Sequence, residues 1–114
     1  MITIWEKPEL YVENSPQFHL PNVTTPLLIM HNDGDGAVPW YQGIELFTGL
    51  KRLDKPTWLL NYNGDGHNLM KNANRIDLSI RMRQFFDYYL FHEWSALGKK
   101  SRCILPNRLD LRIQ

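Results

Sequence analysis

Two short, uninterrupted apolar runs organise the hydrophobic pattern of this chain: Pro26 to His31, and Thr57 to Tyr62. Runs of this length without polar alternation read as strands buried on both faces, as in a parallel sheet. Each is followed by turn residues, Asn32 to Gly36 after the first and Asn63 to Gly66 after the second. Between them, Trp40, Ile44, Leu46, Phe47 and Leu50 recur at helical spacing. That spacing predicts an amphipathic helix over Trp40 to Arg52, opening after Pro39 and stopped by Asp54-Lys55-Pro56. Beyond the second turn, Asn72 or Asn74 is placed to cap a last helix reaching Leu90 or Phe91. Its Leu78, Met82, Phe85, Phe86 and Tyr89 fall on one side at spacings of three and four.

The order strand, loop, helix, strand, loop, helix is the repeating unit of an α/β fold with parallel strands. Two strands do not make such a sheet stable alone, so the pattern predicts the closing end of a larger α/β domain. Residues 1–25 hold Pro8, Pro16 and Pro21, which rule out a long helix or a central strand. They are expected to form an irregular segment packing across the domain, anchored by Trp5, Tyr11 and Phe18. The strand and helix units then occupy 26–91. Residues 92–114 read as a divergent, poorly ordered tail.

Composition narrows the partners. The chain has 114 residues, 43% of them hydrophobic, a formal net charge of +1 and one cysteine. Charges of both signs are interspersed, so no nucleic-acid partner is indicated. The basic stretch from Lys99 to Arg112 reads as a solvated tail. A lone Cys103 allows no internal disulfide. No apolar run is long enough to span a bilayer, and the first ten residues do not form a signal peptide, so no membrane partner is indicated and no compartment is implied.

In open α/β sheets, reactive groups gather on the loops beyond the carboxyl ends of the strands. Here those loops present His31, Asp33 and Asp35 from the first turn, and Asp65 and His67 from the second. Asp35 and His67 lie one β-α-β step apart and can meet. A carboxylate on one imidazole nitrogen fixes the tautomer and leaves the other nitrogen as a general base. Acid before histidine is also the chain order of the last two members of an α/β-hydrolase triad. On spacing alone, both read equally as ordinary turn residues. A calcium loop starting at Asp33 fails, because its fifth, sixth and twelfth positions fall on Ala37, Val38 and Ile44. A zinc site built on His31 and His67 lacks a third ligand at suitable spacing. No cofactor and no metal are expected.

The run from Thr25 to Trp40, an apolar strand followed by His31-Asn32, then Asp35 four residues after the histidine, then Val38-Pro39, resembles the acid-bearing segment of prolyl-oligopeptidase-type serine peptidases. Trp58 to His67 resembles the catalytic-histidine loop of that family, Arg83 to Leu90 its last helix, and Tyr11 to Pro16 the segment preceding the acid strand. The resemblance implies the last two strand–helix units of an α/β-hydrolase fold, three-layered αβα with parallel strands. It also implies peptide-bond hydrolysis, with His67 as base, Asp35 rather than Asp33 as acid, and Val38, Pro39 and Trp40 shaping the acid loop. The nucleophile of the family lies in a Gly-x-Ser-x-Gly elbow well upstream. None of Ser15, Ser79, Ser95 and Ser101 has that context. The expected partners are therefore a peptide substrate and the missing N-terminal part of a catalytic domain. The isolated chain is expected to be inactive. A non-catalytic interaction module and an inactive gene remnant are the alternatives.

Overall fold

The computed structural model describes residues 2–90; the proposed tail at 92–114, Cys103, Ser95 and Ser101 lie outside the described residues. Five labelled elements follow one another: α1 (Pro8–Glu13), β1 (Leu27–Met30), α2 (Trp40–Arg52), β2 (Thr57–Leu60) and α3 (Asn72–Leu90). A 3-10 helix over Pro16–Asn22 lies between α1 and β1. β1 and β2 pair in parallel, Leu27 opposite Thr57 and Met30 opposite Leu60. The His31 amide extends the ladder by donating to the Leu60 carbonyl (3.1 Å). Both strands therefore end at the same edge, and the two loops that follow leave the sheet side by side.

α2 spans the predicted residues and buries Leu50 completely. Its end is a Schellman motif. The Lys55 amide donates to the Leu50 carbonyl (2.9 Å) and the Asp54 amide to the Lys51 carbonyl (3.1 Å). Asp54 takes the left-handed conformation (φ 53°) that the motif requires. Pro56 then ends any helical continuation and leads into β2.

The N-terminal segment is not a simple loop, nor is it held by its aromatic residues. Pro8 and Pro16 each open a short helical piece, since proline suits a first helical turn. The buried anchor is Leu20, seated so closely over α2 that a Cβ at Gly49 would lie 2.6 Å from its Cδ1. Lys55 Nζ donates to the Pro21 carbonyl alongside (3.0 Å). Trp5, by contrast, is 90% exposed.

α3 approaches β2 through aromatic side chains. The Trp58 ring meets those of Phe85 and Tyr89 at 5.7 and 5.8 Å between centroids. A polar clamp adds a second tie, Tyr62 Oη donating to Asp77 Oδ2 (2.9 Å) and Arg81 Nε to the same oxygen (2.6 Å). Partial burial, reinforced by the Asp77 carboxylate, raises the Tyr62 phenol above its ordinary pKa, so it stays a donor. The apolar side expected for α3 is covered only in part. Phe85 is buried, but Met82 and Phe86 are exposed, and so are Ile76 and Ile80 elsewhere on the helix. A helix apolar on more than one side is the kind found inside a larger domain.

A β-carbon in the left-handed region carries a steric cost that glycine avoids. Asp54→Gly should therefore stabilise the chain by about 0.5–1 kcal/mol, whereas Asp54→Ala should not. Urea denaturation of the three chains checks this.

Candidate active site

Parallel pairing brings the two loops together, and one buried side chain ties them. Asn32, 1% exposed, follows β1 by one residue past His31. Its Nδ2 donates to the Gly66 carbonyl (2.8 Å) and its Oδ1 accepts from the Tyr62 amide (3.0 Å). Asp33 reinforces the tie. Its Oδ1 accepts from the Gly64 amide (2.8 Å), while its own amide donates to Asn61 Oδ1 (3.1 Å). At Gly34 the loops touch backbone to backbone, and a Cβ there would stand 2.7 Å from the Asp65 carbonyl oxygen. Only glycine fits that approach. Gly64 turns the second loop with φ +74°, again a glycine conformation.

Within this frame Asp35 meets His67. Asp35 Oδ1 accepts from the Ala37 amide (2.8 Å) and the Val38 amide (2.9 Å), and Oδ2 lies 2.9 Å from His67 Nδ1. The carboxylate can only accept, so Nδ1 carries the proton and Nε2 is left as an acceptor. The Asp35 side chain is 5% exposed and that of His67 57%. The Val38 amide, helped by the bonds from His67 and Ala37, holds the Asp35 carboxyl down at about 2 against the opposing cost of its desolvation.

The other sequence candidates lie elsewhere. Asp33 serves the Gly64 turn and does not face His67. Asp65 is buried and turns back to accept from Asn74 Nδ2 at the start of α3. Asn74 is thus engaged there instead of capping the helix, and Asn72 is the first helical residue. His31 sits behind Asp35, its Nε2 3.6 Å from Oδ2. His67 borders an open cleft with Met30, Leu69, Met70, Arg75 and Ser79. The hydroxyls of the two described serines are each engaged by a carbonyl four residues back, Ser15 Oγ donating to the Tyr11 carbonyl and Ser79 Oγ to the Arg75 carbonyl (2.9 Å). Among the described residues no three His, Cys, Asp or Glu side chains gather as a metal site, and no helix is long and apolar enough to cross a membrane. Sequence reasoning missed Asn32, which it read only as turn chemistry. No local signal marked it, since its partners Gly66 and Tyr62 lie 34 and 30 positions away.

Parallel strands joined through a helix, with a carboxylate and an imidazole on consecutive loops at their carboxyl edge, define an α/β-hydrolase-type unit. The chain belongs to the prolyl oligopeptidase family, which it matches over residues 1–93. It is 33% identical over 90 residues to the uncharacterized peptidase YuxL of Bacillus subtilis, an alignment covering 76% of this chain and 14% of that protein. It is 35% identical over 68 residues to the acylamino-acid-releasing enzymes of rat and of human, covering 60% of this chain and 9% of each enzyme. The chain therefore spans a small part of the length of the relatives it matches.

Two outcomes follow from this geometry. Asn32→Ala leaves the Gly66 carbonyl and the Tyr62 amide without their partner and should cost about 1–3 kcal/mol, read by urea denaturation. Folding lowers the Asp35 pKa from 3.8 to about 2. Its contribution to stability is therefore complete above 3.8 and is lost as pH falls through about 2. Asp35→Asn should flatten the fall in stability across that interval, measured by denaturation at stepped pH.

Proposed function

We propose that this chain is the C-terminal part of a serine peptidase catalytic domain, supplying the acid and the base of a triad whose serine comes from polypeptide outside it. The observation that carries this reading is the Asp35–His67 pair: a 2.9 Å contact between a shielded carboxylate and an exposed imidazole. In the reaction, Nε2 takes the proton of an incoming serine hydroxyl as its oxygen attacks a peptide carbonyl. It then returns that proton to the departing amine. Asp35 stabilises the imidazolium through Nδ1 and stays ionised, because its carboxyl is far too acidic to take the proton. Neither Ser15 nor Ser79 suits the nucleophile role, since each hydroxyl is donated to the backbone carbonyl four residues before it. Peptides are the substrate class, in keeping with relatives named as a peptidase and as acylamino-acid-releasing enzymes.

The exposed apolar residues of α3, among them Ile76 and Ile80, support a missing partner: they suit burial against the rest of such a domain. They suit equally a chain that completes a hydrolase sheet without taking part in chemistry, and activity separates the two.

The test is to produce the chain with and without a second polypeptide carrying the Gly-x-Ser-x-Gly part of a family catalytic domain. Hydrolysis of a peptide nitroanilide and labelling by a fluorophosphonate are followed. The chain alone should give neither. The assembled pair should give both, and Asp35→Asn should lower its kcat by about 10^4-fold. Labelling of a serine in the isolated chain, or an active assembly indifferent to His67→Ala, would overturn the reading. A stable but inactive assembly would favour the non-catalytic alternative.

A further inference from the structure

The acid loop is held from behind by a second histidine. His31 leaves the end of β1 with its amide bound to the Leu60 carbonyl, so its backbone belongs to the sheet. Its ring is locked on three sides. Trp40 stands edge-on to it at 5.4 Å. Gly43 of α2 lies so close to Nδ1 that a Cβ there would approach to 2.5 Å. Asp35 Oδ2 is 3.6 Å from Nε2, and the side chain is 11% exposed. Among the described residues Nε2 has one partner at hydrogen-bond distance, the Val38 carbonyl (3.2 Å). That carbonyl can only accept, so Nε2 carries the proton. Val38 is thus gripped at both ends: its carbonyl takes the His31 proton, and its amide donates to Asp35 Oδ1 (2.9 Å). Pro39 follows and restricts Val38 to extended backbone.

We propose that His31 is a positioning residue, which holds the Asp35–Val38 turn by donating from Nε2 to the Val38 carbonyl and thereby fixes the carboxylate against which His67 rests. Without that bond the turn would relax from the sheet, and the carboxylate would lose its aim at Nδ1 of His67. The Val38 amide is also the largest influence holding the Asp35 carboxyl acidic, so the same grip keeps the acid ionised. This proposal rests on the reading of Asp35 and His67 as acid and base, but its test reads the pair itself. A failure here leaves that reading standing, and absence of peptidase activity leaves this result intact.

The experiment is nuclear magnetic resonance on the whole 114-residue chain. Long-range nitrogen–proton spectra of the unmodified chain should show His31 as the Nε2–H tautomer; the Nδ1–H tautomer would overturn the proposal without any substitution. In His31→Phe, exchange of the Val38 amide should become at least about ten-fold faster. The low-field resonance of the His67 Nδ1 proton should vanish, while the Ile29 and Leu59 amides stay protected. His31→Gln, which restores a donor, should recover both signals. An unchanged Val38 amide and His67 proton in a folded His31→Phe chain would overturn the proposal. Should His31→Phe lose the strand protection too, the tautomer and the Gln variant decide: failure of His31→Gln to keep the His67 signal in a folded chain also overturns it.

Discussion

A single buried amide, the side chain of Asn32, makes one site out of two loops. Parallel pairing delivers the ends of β1 and β2 to the same edge, but it does not fix how the chains beyond them run. Asn32 does so by satisfying a carbonyl at Gly66 and an amide at Tyr62, groups that would otherwise be buried without partners. Once it is seated, Asp33 can reach the Gly64 amide and Gly34 can pass against the Asp65 carbonyl. Asp35 and His67 are then brought to hydrogen-bonding distance. The Asp35–His67 contact thus depends on a residue that takes no part in it.

The electrostatics of the pair are lopsided in a useful way. Asp35 is almost wholly shielded yet has three hydrogen bonds to its anionic form, which outweigh the cost of burial and keep it charged. His67 is more than half exposed, and its Nδ1 is the nitrogen engaged by the carboxylate. A buried, fixed anion behind a solvent-facing imidazole is the arrangement in which the imidazole takes protons and the carboxylate does not.

Much of this was legible in the sequence. The two apolar runs marked the strands, and the spacing from Trp40 to Leu50 marked α2 to its last residue, because both signals are local and periodic. Asp35 and Asp33 were indistinguishable by turn chemistry, and the resemblance of the surrounding motif separated them. The contacts that assemble the site were not legible. Asn32 acts on residues 30 and 34 positions away, and nothing around it encodes those partners. Asn74 looked like a helix cap, but the carboxylate of Asp65 competes for its side chain. In the N-terminal segment the large aromatics suggested an anchor, whereas a glycine at position 49 made room for Leu20. On α3 the spacing places Leu78, Met82, Phe85, Phe86 and Tyr89 on one side, but spacing does not say what covers them, and Met82 and Phe86 are exposed.

Whether Asp35 and His67 act as one device is decided by a double-mutant cycle on kcat in the assembled pair of polypeptides. Groups that work as a unit are strongly non-additive. Asp35→Ala and His67→Ala should each be severe, and the double variant should be no slower than His67→Ala alone. Losses that multiply, with the double variant slower by the product of the two single effects, would instead show two residues acting independently.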